Sequence, residues 1–519
     1  MRRLLRWHEV SNLSLGRSGL LKFTADQVRQ LSEQLVGQIA LPQDANYQIG
    51  RGSFMNAFQH FPQIIVYCHG FADVIECIKF AKEIGLKPSI RAGGHSTAGY
   101  SVNDDMVIDV SAINYVRVNP SGRTAYIGAG ANFAQVNAAL ELCGFHIPGG
   151  GCETVCVGGY MQGGGYGFTS LLFGLNCDQV AGFQMALADG SIVTANEDEN
   201  ADLFWAVRGG TGNNFGVLLE VEYRLQDLKP VWGFGFKWPV TTDQQAAEAT
   251  RAFQVWQENF TGENVPPKLG HQALLVHTKA PLAEGPDPAL APYFVIRGMY
   301  DGTPEQCEQA LAPLLKLMSD VNNYRDIWRS GSYRELNAYM FTYPTELPPN
   351  VPSSARSVAK SHYVGRPLTL AECGTIVDLY RRTRTSDNFI GFEPYGGAIG
   401  NIAPEATAFW HRHATMDVFL FSFWMHEEAQ TAAFAYVADF DTVVAPLANG
   451  HCYQNYPNRD IVNFGRMYFG GNLERLVEIK HKYDPADLFN FPQGLIAAAV
   501  SAGINPPPTK ADVQRTDLD

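Results

Sequence analysis

Hydrophobic and polar residues alternate along the first 230 positions in a pattern that predicts short strands interleaved with amphipathic helices. Apolar residues recur at helical spacing in three windows, 24–41, 71–86 and 132–144. Short apolar runs predict strands at 64–68, 87–91, 106–110, 124–128 and 218–225. Residues 180–194 are expected to form a hairpin because Asp189-Gly190 supplies a tight turn. This alternation predicts a mixed α+β fold.

The pattern changes near residue 230, where longer helical windows appear. They cover 243–260, 304–319 and 370–383, and strands are predicted at 293–297 and 418–424. From about 447 the chain returns to loops, with one helix at 471–483. These changes predict domain boundaries near 230 and 446. The proline-rich tail beyond 504 is expected to be mobile.

Three glycine-rich loops interrupt the regular pattern, at 91–96, 149–167 and 209–216. Glycine costs a helix or strand about 1 kcal/mol relative to alanine, so such density indicates sharp turns or a backbone that approaches a ligand closely. No Walker lysine and no complete G-x-G-x-x-G fingerprint with its acidic partner is present, which argues against P-loop and Rossmann nucleotide sites. A histidine in the first loop and cysteines in the second suggest a large cofactor, with a covalent tether as one option.

Composition excludes several classes of protein. Lys and Arg total 39 against 52 Asp and Glu, a net charge of −13 that argues against a nucleic-acid partner. The nine cysteines are odd in number and scattered, which favours mostly reduced thiols over a disulfide framework. The basic N-terminus is not followed by an apolar segment, and no apolar run approaches 18 residues. We therefore expect a cytoplasmic protein without a membrane partner.

Ordered blocks of sequence resemble the berberine-bridge-enzyme-like FAD oxidases, which belong to the vanillyl-alcohol-oxidase flavoprotein superfamily. The blocks are 91–96, 152–167, 202–217, 393–397 with 411–412, 453–456 and 468–485. The resemblance implies a two-part FAD-binding domain of PCMH type, formed by 1–230 (core about 60–228) and completed by 447–519. Between them, 231–446 would form a substrate domain with an antiparallel sheet covered by helices.

The resemblance also implies that FAD is attached twice, through His95 to the flavin 8α-methyl group and through Cys152 to flavin C6. Without it, a lone histidine or a free cysteine is more often an ordinary surface or core residue. Cys156 is expected to serve only packing. The other residues expected to bind the cofactor are Arg91, Gly93, Gly94, Ser96, Val155, Gly158, Gly159, Gly163, Gly164, Gly165, Gly216, Val217 and Asn455.

Three tyrosines are the candidate catalytic residues, again by resemblance. Tyr456 is expected to be the catalytic base, and Tyr453 would replace it if the loop aligns differently. A tyrosine hydroxyl has a pKa near 10, so the base needs a neighbour that lowers this value. Tyr166 is expected to supply that hydrogen bond. Without the resemblance, each would be an ordinary packed aromatic residue.

Residues after 390 are expected to form the wall that binds the substrate, namely Glu393, Tyr395, Asp417 and Val418. The catalytic glutamate of the berberine-bridge enzymes is replaced here by Val418, so carbon–carbon bridge chemistry is not expected. His411 and His413 are two residues apart without further ligands nearby, so no metal site is predicted.

The expected function is that of a bicovalent FAD oxidase. Hydride would leave an alcohol or hemiacetal carbon of a sugar or a hydroxylated natural product, and O₂ would be reduced to H₂O₂. Val155 occupies the position of the family's oxygen gate, where a small residue favours an oxidase. The alternatives are a dehydrogenase, an oxidative cyclisation or aromatisation in secondary metabolism, and a flavin-binding protein without turnover. The choice between monomer and dimer stays open.

Overall fold

The structure of the chain is a computed structural model that describes residues 21–54, 57–281, 290–342, 356–382 and 388–507. The part of the predicted mobile tail from 508 onward lies outside these ranges. The described residues form an α+β fold, as predicted. Among the described helices, none combines the length and the hydropathy needed to cross a bilayer.

A small sheet near the start of the chain leads into the first glycine-rich loop. Its strands, in spatial order, are Gln38–Ala40, Ile64–Tyr67, Met106–Asp109 and Pro88–Arg91. The first pair is antiparallel and the other pairs are parallel. Because Pro88–Arg91 ends where the glycines begin, the sheet fixes the position of His95.

A second sheet is antiparallel and holds the predicted hairpin. Its strands, in spatial order, are Val116–Asn119, Thr124–Gly128, Val217–Arg224, Val180–Ala186 and Ile192–Asn196. Ala186 pairs with Ile192 at the closed end of the hairpin, and Gly190 has a φ of 88°. Glycine adopts this left-handed conformation without steric cost, which confirms the predicted turn. A short ribbon pairs Phe145–His146 with Gln226–Asp227.

The second half of the chain forms a seven-stranded sheet. Its spatial order is Arg325–Gly331, Val231–Pro239, Leu290–Tyr300, Leu269–Lys279, Asn388–Pro394, Met416–Trp424 and Arg356–Val364. Each neighbouring pair is antiparallel. Three helices, Asp243–Phe260, Leu370–Arg382 and Gln430–Val444, pack on one face. This is the predicted antiparallel sheet covered by helices.

The remaining helices are mostly short. In the first part of the chain they are Ala25–Gln34, Tyr47–Arg51, Phe71–Ile84, Phe133–Glu141, Val157–Gln162, Ser170–Phe173 and Ala201–Val207. Later ones are Pro304–Ala310, Ala312–Leu315, Tyr333–Thr342, Phe464–Phe469, Leu473–Tyr483 and Leu495–Ser501. Several begin with a capping box, in which a Thr or Asn and a Gln three residues later satisfy each other's backbone N–H groups.

Two predicted helices are shorter than their hydrophobic pattern suggests. The helix predicted at 24–41 ends at Gln34, and the chain then forms the edge strand of the first sheet. A Cβ on Gly37 would lie 1.9 Å from the Tyr67 carbonyl oxygen, so only glycine permits this turn. The helix predicted at 304–319 breaks after Ala310. Pro313 removes a backbone donor and clashes with the preceding turn, which explains the break.

Buried side chains form two large clusters. One combines residues 23–225 with the C-terminal segment, for example Ile127 and Phe204 with Leu476 and Leu495, and a few residues from 363–414. The other comprises residues between 234 and 444. On this basis we propose the boundaries near 230 and 446 as domain boundaries.

Candidate active site

A cavity of about 400 Å³ lies between the glycine-rich loops and the uncovered face of the seven-stranded sheet. His95 and Cys152 line it on the side of the loops. Glu393 and Tyr456 line it together with residues of the sheet. The fold therefore brings both predicted attachment residues and the predicted base to one cavity.

One threonine connects the two predicted attachment residues. The hydroxyl oxygen of Thr154 lies 3.0 Å from Nε2 of His95 and 3.3 Å from Sγ of Cys152. Burial, with a smaller contribution from Arg91, lowers the pKa of His95 to about 4. The imidazole is therefore neutral at neutral pH, which is the nucleophilic form. Burial raises the pKa of the Cys152 thiol, and bonds to Thr154 partly offset this effect.

Ten of the predicted cofactor-binding residues line the cavity: Gly93, Gly94, His95, Ser96, Cys152, Val155, Gly158, Gly159, Gly216 and Asn455. Gly159 presents bare backbone to the cavity, since a Cβ placed there would meet no protein atom within 4 Å. Cys156 also lines the cavity, and burial raises the pKa of its thiol to about 12. A Cβ on Gly93 would lie 2.9 Å from the Cys156 sulfur, so this cysteine packs against the first loop as predicted.

The other predicted cofactor-binding residues lie outside the cavity wall. The structure therefore places them behind the residues that would touch the cofactor, and not in contact with it as predicted. Arg91 forms an ion pair with Asp109, and Val217 is buried in the core. Gly163, Gly164 and Gly165 pack against protein, because a Cβ on each would lie within 2.6 Å of the side chains of Asn455, Phe409 and Tyr160 respectively. Gly164 and Gly165 also have φ values of 109° and 84°, which only glycine adopts readily.

Tyr456 and Glu393 form the polar end of the cavity. The Tyr456 hydroxyl donates a hydrogen bond of 3.0 Å to Oε1 of Glu393. Burial and the nearby Asp417 carboxyl raise the pKa of Glu393 well above its ordinary value. Burial and Glu393 likewise raise the pKa of Tyr456. Glu393 accepts the hydrogen bond from Tyr456 and raises the pKa of its hydroxyl, whereas the sequence analysis expected a neighbour, Tyr166, that lowers it.

Tyr453 anchors the C-terminal segment to the second glycine-rich loop. Its hydroxyl oxygen accepts hydrogen bonds from the backbone N–H groups of Gly165 and Tyr166 and from the Asn455 amide, at 3.0, 3.2 and 3.1 Å. Asn455 also donates to the Tyr160 carbonyl at 3.0 Å. Burial raises the pKa of Tyr453, and these three donors, which lower it, only partly offset that effect. They also occupy its oxygen, which leaves Tyr456 better placed to take a proton from a substrate.

Tyr166 does not make the predicted hydrogen bond to Tyr456. Its hydroxyl is buried and has no hydrogen-bond partner among the described residues. Its ring stacks on that of Tyr395, with the centroids 5.4 Å apart. Burial raises its pKa well above 10. The backbone N–H of Tyr166, through its bond to Tyr453, links this residue to the catalytic segment.

Three of the predicted substrate-binding residues lie behind the cavity wall. Val418 faces the covering helices, because alternate residues of a strand point to opposite faces of the sheet. Asp417 accepts a 2.7 Å hydrogen bond from Ser361, which in turn accepts one from the Tyr453 backbone N–H. Tyr395 is buried and its hydroxyl bonds to that of Tyr363. Of the four predicted residues, only Glu393 reaches the cavity.

The sequence analysis missed most of the wall that the sheet contributes. Phe389, Phe419, Phe421 and Phe423 line the cavity with Phe54, Gln272 and Arg297. Strand periodicity around 418–424 was the available signal, but it does not reveal which face is buried. The role of Arg412 was also missed. It makes two 2.7 Å bonds to Asp178, far away in sequence, and both side chains are buried.

Two family models match parts of the chain. A family model described as an FAD binding domain matches residues 62–196, and one described as berberine and berberine-like matches residues 452–496. The chain is therefore an FAD-linked oxidoreductase that combines an FAD binding domain with a berberine-like segment near its C-terminus. Like its relatives, it has the PCMH-type fold.

The similarity of this chain to individual relatives is distant but covers about nine tenths of its length. It is 28% identical over 475 residues to the uncharacterized FAD-linked oxidoreductase YvdP of Bacillus subtilis, covering 89% of this chain and 99% of the relative. The solved structure of a berberine-bridge-enzyme-like protein from Physcomitrella patens is 27% identical with a TM-score of 0.79, covering 91% and 99%. A chitooligosaccharide oxidase at 23% identity has a TM-score of 0.77, covering 90% and 99%, and shares the fold.

The residues of the cavity fit the FAD that this family binds. Gly159 presents open backbone where a large planar or phosphorylated group needs close approach. The neutral imidazole of His95 and the thiol of Cys152 are nucleophilic side chains that line the same cavity. We therefore consider these residues able to hold the cofactor.

Proposed function

We propose that this chain is a bicovalent FAD oxidase acting on an alcohol or hemiacetal carbon, with His95 and Cys152 as the attachment residues. The observation that carries the proposal is the hydrogen bond from Tyr456 to Glu393 at the polar end of the same cavity. In this pair Tyr456 is the base and Glu393 accepts its proton, and both lie across the cavity from the attachment residues.

FAD, when bound, supplies the hydride acceptor and the reaction with O₂ that yields H₂O₂. The protein supplies position and proton transfer. The substrate hydroxyl binds to the Tyr456 oxygen and gives up its proton there as hydride leaves the adjacent carbon. Tyr456 passes its own proton to Oε1 of Glu393, so the tyrosine ends the step neutral and the substrate becomes a carbonyl compound or a lactone.

The environment of Glu393 favours this proton transfer. A carboxylate with a raised pKa is a stronger base than an ordinary one, and burial beside Asp417 raises the pKa of Glu393. Its second oxygen, Oε2, is buried and has no hydrogen-bond partner among the described residues. The proton received from Tyr456 therefore stays on Oε1, and no described protein group competes for the carboxyl at Oε2.

The attachment residues support the bicovalent part of the proposal. Thr154 bonds to both side chains, so the imidazole and the thiol have a fixed relative position on one wall of the cavity. Val155 lines the cavity beside them. A residue of this size leaves room for O₂, which supports an oxidase over a dehydrogenase.

The test has two parts. The purified protein is denatured in acid, and flavin absorbance of the polypeptide is compared for wild type, His95→Ala, Cys152→Ala and the double variant. We expect each single variant to retain flavin and the double variant to release it. Flavin released from the wild type would refute covalent attachment.

Oxygen uptake with a panel of alcohols then tests the oxidase. We expect H₂O₂ equal to the substrate oxidised, and Tyr456→Phe should lower kcat about 10²- to 10⁴-fold with flavin still attached. Val155→Leu should slow reoxidation by O₂ without slowing flavin reduction. Turnover with a quinone but not with O₂ would indicate a dehydrogenase instead.

A further inference from the structure

Four phenylalanines form a continuous aromatic surface on the sheet side of the cavity. Phe389 lies on strand Asn388–Pro394, and Phe419, Phe421 and Phe423 lie on the neighbouring strand Met416–Trp424. The Phe421 ring is stacked with that of Phe389 at 5.3 Å and with that of Phe423 at 6.1 Å. We call these four side chains the phenylalanine wall.

The phenylalanine wall reaches the proposed catalytic base. The Tyr456 ring lies 5.1 Å from that of Phe419 and 5.6 Å from that of Phe421. Gly391 is the cross-strand partner of Phe419, and a Cβ at position 391 would lie 2.1 Å from the Phe419 ring. The glycine therefore lets the ring lie flat on the sheet and keeps the space in front of Tyr456 open.

Polar groups of the sheet gather around Glu393, at the end of the phenylalanine wall where Tyr456 lies. Arg297 donates to Oε1 of Gln272 at 2.9 Å, and Gln272 donates to Oε1 of Glu393 at 3.4 Å. These three residues lie on adjacent strands and continue the chain of hydrogen bonds from Tyr456. The sheet therefore offers one polar end and one apolar surface along the same cavity.

The length of the phenylalanine wall follows from the strand register. Phe419 and Phe423 are four residues apart on one strand, which corresponds to about 14 Å at 3.4 Å per residue. Phenylalanine rings neither donate nor accept ordinary hydrogen bonds. A sugar hydroxyl pressed against them loses its bonds to water and gains no bond in exchange.

We infer that the substrate is an aryl or polycyclic alcohol, with its hydroxyl at Tyr456 and a flat apolar body on the phenylalanine wall, and that a free oligosaccharide is not the substrate. The inference rests on the proposed alcohol oxidation and specifies the substrate class of that site. Offset stacking on the rings and the removal of apolar surface from water stabilise such a body.

The test compares naphthylmethanol with cellobiose on the holoenzyme under anaerobic conditions. Two readouts are followed, the perturbation of the flavin absorbance, which gives Kd, and the bleaching that reports reduction. We expect naphthylmethanol to bind at least tenfold more tightly than cellobiose. Phe421→Ala should weaken that binding about tenfold. Phe434→Ala should leave it unchanged, because this phenylalanine belongs to the helix Gln430–Val444 that covers the opposite face of the sheet.

The outcomes separate this inference from the proposed function. Tighter binding of cellobiose, or equal effects of Phe421→Ala and Phe434→Ala, would overturn the substrate class and leave the oxidase intact. Tight binding of naphthylmethanol without bleaching by any alcohol would instead contradict alcohol oxidation while supporting the aromatic binding surface. Melting temperatures of both variants identify any loss of folding.

Discussion

The hydroxyl oxygen of Thr154 lies 3.0 Å from Nε2 of His95, which places a hydrogen-bonding group directly behind the predicted flavin-attachment histidine. The same oxygen lies 3.3 Å from the Cys152 sulfur. The Thr154 hydroxyl thus contacts both predicted attachment residues.

We expect Thr154→Val to reduce the fraction of protein that carries doubly attached flavin, because valine keeps the shape but removes the hydroxyl. Thr154→Ser retains the hydroxyl and should preserve attachment. Intact mass and flavin fluorescence of the denatured polypeptide measure the fraction directly. Equal attachment in the two variants would show that the hydroxyl has no role.

Glu393→Gln should lower the rate of flavin reduction about 10²- to 10⁴-fold, because an amide cannot accept the proton that Tyr456 releases. Burial raises the pKa of Glu393, so the wild-type rate should rise with pH as this carboxyl loses its proton. The variant should lose that rise. Anaerobic stopped-flow reduction across a pH series measures both effects, and an unchanged pH profile in the variant would contradict the assignment.

Asp417 should make the fold less stable as the pH rises. Burial raises its pKa to about 8, compared with about 3.9 in an unfolded chain. Between these two pKa values the folded state binds more protons than the unfolded chain. The stabilisation that the protonated Asp417 carboxyl provides is therefore complete below about pH 4 and is lost as the pH rises toward 8. The loss is about 1.4 kcal/mol per pH unit for one such group.

Thermal unfolding of wild type and Asp417→Asn at pH 5 and pH 8 isolates this carboxyl from other titrating groups. The amide keeps an acceptor for Ser361 and carries no charge. We expect the difference in midpoint between the two pH values to be smaller in the variant. A difference of the same size in both proteins would argue against the raised pKa.

Arg412→Ala should destabilise the protein by about 3–5 kcal/mol, because it leaves the buried Asp178 carboxylate without its partner. Arg466→Ala is the matched control, since it removes an arginine from the exposed ion pair with Glu474. Exposed pairs contribute at most about 1 kcal/mol. Unfolding in urea compares the stabilities of the two variants. Similar midpoints would refute a stabilising role for the buried Arg412–Asp178 ion pair.

Much of the fold follows from local sequence patterns. The hairpin turn at Asp189-Gly190 and the long helix at 243–260 are confirmed because turn chemistry and helical periodicity act over a few residues. The edge strand at Gln38–Ala40 was not foreseeable in this way. It depends on contact between Gly37 and the Tyr67 carbonyl, which the local pattern does not contain.

The candidate site likewise contains residues that the sequence predicts and residues that only the structure reveals. Motif resemblance pointed to His95, Cys152 and Tyr456, and the fold brings all three to one cavity. The pairing of Tyr456 with Glu393 joins residues 63 positions apart and depends on the strand register. A shift of one residue reverses the face of a strand, which is why Val418 was wrongly assigned to the substrate and the phenylalanine wall was missed.

The anchoring of Tyr453 and Asn455 to residues 160–166 has a consequence for biosynthesis. These contacts join positions separated by almost 300 residues, so a nascent chain has already displayed His95 and Cys152 long before the partner segment leaves the ribosome. Contacts of such sequence separation form late, since closing the intervening loop costs entropy. The flavin attachment proposed above should therefore follow translation, and a chain truncated before residue 452 should contain both nucleophiles but an incomplete cavity.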